Sequence, residues 1–163
     1  MCINAIVRGL LFISFVTSAF PQATRAADCV GNMPLTVTET QGGFAGTTGT
    51  VWTIQADCSF TIARFINASV SEPHQRGQLN ADQQARLSRL LAEKGAANLP
   101  AKVGPPPQVN PHQIILNFNG KASVLDLSPG PGGIASVKAG ADDAAKRLVD
   151  IYEGVKDVTA GGG

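Results

Sequence analysis

The chain reads as an α+β protein in two layers, an antiparallel sheet of about five strands covered by two helices in the order βββαββα. Three observations predict this class. The stretches "PLTVTET", "TVWTIQ" and "SFTIARFI" carry β-branched and aromatic residues, the first in a clear period of two. "HQIILNFNGKASVLDL" holds Asn119-Gly120, a pair suited to a two-residue type I′ turn between antiparallel strands. Two further stretches repeat apolar residues at helical spacing, and such helices must cover the apolar face of a hairpin-built sheet.

In chain order, the first 26 residues come before any fold. Arg8, the apolar run "GLLFISFVTSAF" and the small residues of "QATRA" have the layout of a secretory signal cut after Ala26. An uncleaved anchor is the alternative, although crossing a bilayer takes about 20 apolar residues. The mature protein is expected to be secreted or periplasmic. Residues 27–157 would form a single domain, and 158–163, ending in "TAGGG", a flexible tail. Removing 26 residues from 163 leaves 137, and the loss of Arg8 and Arg25 takes 13 basic residues to 11 against 12 acidic ones, a net charge of −1. Without a basic stripe, nucleic acid is a poor partner. Nothing else long and apolar remains for a membrane, so a soluble monomer is expected.

Cys2 leaves with the signal. Cys29 and Cys58 then form an even pair without metal-type spacing, which in an exported chain reads as one disulfide. It would tie the mature N-terminus to the turn before the third strand. Two buried thiols are the alternative.

The first strand leads into "QGGFAGTTG", Gln41 to Gly49, where Gly42, Gly43, Gly46 and Gly49 surround the lone Phe44. The glycines permit a tight turn. Phe44 either tucks into the core or stands out where a partner can hold it. Packing at least partly inward is the expectation, because burying such a ring stabilises by about 1.5–3 kcal/mol. The loop's backbone and its neighbours Gln41, Thr47 and Thr48 would then be held outward toward a partner. "ADC" joins the second and third strands, "NAS" at Asn67 is a glycosylation acceptor sequon in a host that glycosylates, and "SVSEPHQRGQ" reads as a polar connection.

Asn80 with Gln83 three residues on makes a capping-box pattern, Leu87, Leu90 and Leu91 fall on one face, and Gly95 ends the helix. Residues 96–111, with "GPPP", read as a surface loop. After the Asn119-Gly120 hairpin, whose register pairs Phe118 with Lys121, Leu116 with Ser123 and Ile114 with Leu125, "SPGPGG" is a stiff loop. The last helix starts near Asp142 and runs to about Val155, with Ala145, Leu148, Val149, Tyr152 and Val155 as its buried stripe. The leucines of the first helix, with Leu148 and Tyr152, would pack on Trp52, Ile62, Leu116 and Leu125.

Reactive groups are few. His74 and His112 sit beside prolines, read as exposed loop residues, and lack zinc-ligand spacing. A paired Cys29 and Cys58 leave no nucleophilic thiol. Asp142 and Asp143 fit a helix start better than an acid–base pair. "SPGPGG" lacks the Lys-Ser/Thr ending of a phosphate loop. The chain therefore reads as a non-enzyme with no metal and no cofactor. Rigid loops on a sheet are good binding devices, since little ordering entropy is lost on contact.

A first strand, then "GGFAG" (Gly42, Gly43, Phe44, Ala45, Gly46), then a strand hairpin and the "GQLNADQQARLSRLL" helix resembles the emfourin family, small protein inhibitors of thermolysin-like metalloproteases. The likeness spans roughly Leu35 to Val155. It departs from the family in the export signal, the cysteine pair and the long proline loop. The resemblance implies inhibition through the glycine loop Gly42, Gly43, Phe44, Ala45 and Gly46. Taken with the export signal, the expectation is an exported inhibitor that presents this loop with its neighbours Gln41, Thr47 and Thr48 to a metalloprotease. The residues alone also fit a non-catalytic structural or ligand-binding domain of the cell envelope, in which "GGFAG" maintains the fold.

Overall fold

The computed structural model describes residues 29–106, 109–127 and 133–161; the expected signal at 1–26 lies outside them. In chain order the elements are β1 (Leu35–Gly43), β2 (Gly46–Ile54), β3 (Ser59–Ile66), β4 (Ser69–Val70), β5 (Gln75–Gln78) and α1 (Ala81–Glu93). A 3₁₀ turn (Ala96–Asn98), β6 (Lys102–Val103), β7 (His112–Phe118), β8 (Lys121–Leu127), α2 (Gly133–Ala139) and α3 (Asp143–Ala160) follow. The strands form one sheet in the order β4-β3-β2-β1-β7-β8-β6, with β5 also paired to β3.

The class is α+β, and the five long strands are those the alternation predicts. The expected count and pairing need correction. The sheet has eight strands and is mixed, because β6 runs parallel to β8. Strands β4 and β5 lie in the segment read as a polar connection, and β6 lies in the segment read as a loop. Strands of two to four residues have no period to read. They form because the edges of β3 and β8 offer backbone groups that a passing chain can pair. The third helix, α2, is also an addition to the expected two. Helix α3 runs to Ala160 with Val158 and Thr159 buried, so the expected tail at 158–163 does not begin there. Its last turn is held by Gln83 Nε2 on the Val158 carbonyl (2.8 Å) and Gln75 Nε2 on that of Thr159 (3.3 Å).

Local signals set the rest. Asn119 and Gly120 take φ of 50° and 74°, and the β7–β8 register pairs Phe118 with Lys121, Leu116 with Ser123 and Ile114 with Leu125. Asn80 and Gln83 complete a reciprocal capping box, and Gly95 adopts φ 59° just past the end of α1. Asp142 caps α3 through the Ala145 amide, and also accepts from the Gly104 amide at 3.1 Å.

Sheet residues Leu35, Val37, Ile54, Phe60, Ile114, Leu116 and Leu125 are buried beneath Leu87, Leu148, Val149, Tyr152 and Val155. Leu90 departs from its expected place on the sheet. It is only half-buried and meets α3 at Gly154, where a side chain would collide with it. Cys29 and Cys58 are bonded, their Cα atoms 5.3 Å apart, and this closes the end of the sheet opposite the β1–β2 turn.

Candidate functional site: a buttressed hairpin tip

The stretch read as a glycine loop is mostly strand. The β1–β2 register continues through Gln41↔Thr48 and Gly42↔Thr47 to Gly43↔Gly46, leaving Phe44 and Ala45 alone in the turn. Positive φ is required only at Gly46 (103°). Phe44 is fully exposed, at 108% of its reference accessibility. The expected inward packing is therefore wrong, for a geometric reason. Strand pairing carries the turn beyond the last helix contact, so no apolar layer lies within reach of the ring.

The tip is braced from both sides. On the β3 side, the Asn67 amide donates to the Thr47 carbonyl (2.8 Å), and Asn67 Oδ1 accepts from the Thr47 amide (3.0 Å). A Cβ on Gly46 would overlap that same Oδ1, so only glycine lets Asn67 close in. On the β7 side, the Gly42 amide donates to the Pro111 carbonyl (2.8 Å), and a Cβ on Gly42 would stand 3.0 Å from the Pro111 ring. Two glycines of "GGFAG" thus serve the contacts that hold the tip, as much as the turn itself.

Among the described residues the exposed large hydrophobic side chains are Met33, Phe44, Ile66, Val70 and Val109. Four of these belong to the tip and its braces. Ile66 pairs with Thr48, Val70 pairs with Phe65 on the outer strand, and Val109 leads into Asn110 and Pro111. Met33 is at the far end, against Gly120.

Behind the tip, the helix-facing side of the sheet carries two rows set by the register. Ile66, Thr48, Gln41 and His112 form one; Arg64, Thr50, Glu39 and Ile114 form the next. Thr48, Gln41 and Arg64 are exposed, whereas Thr50, Glu39 and His112 are partly buried. The inner row meets α3 through a polar cluster. Glu39 accepts from Tyr152 Oη (2.6 Å) and lies 3.0 Å from His112 Nε2, while Lys156 Nζ donates to Tyr152 Oη (3.0 Å). Tyr152 also packs edge-on against Trp52, with ring centres 5.9 Å apart. Burial, then the hydrogen bond and charge of Glu39, push the Tyr152 phenol well above its ordinary value. Lys156 stands 4.7 Å from the centre of the Tyr152 ring and 5.9 Å from that of Trp52.

His112 is consequently not the exposed loop residue expected. It opens β7 with 19% of its side chain exposed. His74 is exposed, its amide on the Ile62 carbonyl, and no contact joins the two histidines. Among the described residues no group of three or more His, Cys, Asp and Glu gathers as metal ligands would, and no helix is long and apolar enough to cross a membrane. A cavity of about 420 Å³ between the disulfide, α1 and the β7–β8 turn is lined by no ionisable side chain. A smaller one holds Asp126 and Asp142, and both carboxylates are engaged, by Gln113 Nε2 and by the Gly104 and Ala145 amides. Pro105 and Pro106 are exposed; Pro107 and 128–132 of "SPGPGG" lie outside the described residues.

Sequence reading missed Glu39, Asn67, Pro111 and Lys156. Glu39 left a trace, since it continues the inward alternation of Leu35 and Val37 with a charge. Asn67 carried only its sequon. No protein-family model matches this chain, and no curated protein sequence does either.

Proposed function

We propose that this chain is an exported inhibitor of a thermolysin-like metalloprotease, which it engages by seating the β1–β2 tip in an apolar recess of the enzyme. The observation that carries the reading is Phe44, a full aromatic side chain with no intramolecular contact to hold it, on a turn braced from both flanks. Such a ring adds nothing to folding. Burial in a partner would contribute about 1.5–3 kcal/mol, and aromatic anchors at interface centres commonly dominate binding. The brace matters as well, because an ordered tip loses little conformational freedom on contact. The resemblance in "GGFAG" supplies the class of partner, and the disulfide suits an oxidising compartment.

The test is a titration of the purified protein against a thermolysin-like protease. Parent protein should inhibit. Phe44→Ala should raise the inhibition constant by roughly 10- to 150-fold at an unchanged melting temperature. A parent that inhibits no such enzyme rejects the reading in favour of a non-catalytic domain of the cell envelope. A variant that inhibits as well as the parent removes Phe44 from the contact.

A further inference from the structure

Resting on that reading, we propose that the docking surface extends from the tip onto the shelf between Ile66 and α3. There Arg64 and Lys156 receive carboxylates of a folded partner that border its recess for Phe44.

The shelf is built by register. Arg64 stands beside Thr50 and Glu39 in the row behind Ile66 and Thr48, and Lys156 projects from α3 above the Trp52 ring. Lys156 is also fixed in place, its ammonium tied to Tyr152 Oη and lying over two aromatic rings. Among the described residues no carboxylate forms an ion pair with Arg64 or Lys156.

Three of the acidic groups around them are engaged elsewhere, while Asp157, next to Lys156 on α3, is exposed and makes no ion pair among the described residues. Glu39 serves Tyr152 and His112, Glu72 on the outer edge pairs with Arg76, and Glu153 on α3 pairs with Lys138. Arg64 and Lys156 are left without an ion pair on the uncovered end of the helix-facing side of the sheet, behind the apolar end formed by Phe44 and Ile66. Their field favours a partner with negative charge beside an apolar pocket and would steer its approach. A protein recess fits better than a bilayer. The most forward apolar group is one ring on a two-residue turn, and the cations sit at least one row behind it along the sheet.

The experiment measures association of the parent, Arg64→Glu, Lys156→Gln and the double variant with a thermolysin-like protease at low and high salt. Thermal melts accompany each variant. The expected result is association slowed about 10-fold or more in the double variant at low salt, with a flatter salt dependence and a melt lowered by no more than the loss of the Lys156–Tyr152 contacts. Inhibition with the parent's rate and salt dependence overturns the shelf while leaving the tip reading intact. Absence of inhibition by the parent overturns both. Phe44-dependent cosedimentation with phosphatidylglycerol vesicles overturns the choice of a protein partner.

Discussion

Gly46→Ala is the most informative change in the scaffold of the tip, because two separable costs meet at one atom. An added Cβ must first tolerate φ of 103°, which costs on the order of 1–3 kcal/mol. It must also displace Asn67 Oδ1, which removes the hydrogen bond to the Thr47 amide and costs about 0.5–1.5 kcal/mol more. Together these come to about 1.5–4.5 kcal/mol, applied at the last rungs of β1 and β2. A hairpin end can open without unfolding the core, so part of the loss is expected as local opening. Amide hydrogen exchange at Thr47 and Asn67 should accelerate strongly, while Val37, Trp52 and Leu116 keep their protection. Urea melts give whatever remains as a global loss. Asn67→Gly is the control: it tolerates the 47° φ of that residue and removes only the hydrogen bond, so it should show the smaller share. If Gly46→Ala melts within about 0.5 kcal/mol of the parent and leaves the Thr47 and Asn67 amides protected, the brace does not order the tip.

Two other outcomes are expected. The raised phenol of Tyr152 contributes stability that is complete below the unfolded value near 10 and is lost as pH rises above it. Above pH 10 the parent should therefore lose about 1.4 kcal/mol per pH unit relative to Tyr152→Phe, measured by urea melts across the alkaline range; parallel curves would refute it. Replacing Cys29 and Cys58 by serine releases a link across a sequence separation of 29 and should cost about 3–4 kcal/mol by urea denaturation. An unchanged midpoint would show that the bond restricts nothing in the unfolded chain.

Much of the fold is legible in the sequence because it is decided within a few residues. The alternation of Leu35 and Val37, the Asn119-Gly120 turn with its register, the Asn80–Gln83 box and the Asp142 cap are all short-range devices. The stripe from Ala145 to Val155 names its own buried face, and the cysteine pair needs only parity and compartment. Tertiary structure decided the rest. Strands β4, β5 and β6 exist because sheet edges had unpaired backbone within reach, a fact about neighbours rather than about residues 69–70, 75–78 or 102–103. Phe44 shows the same limit most sharply. Its residue type favours burial, yet burial needs an apolar layer opposite it. Whether one is there depends on how far β1 and β2 run past α3, a length set by contacts with Asn67 and Pro111, more than twenty positions away in the chain from Phe44.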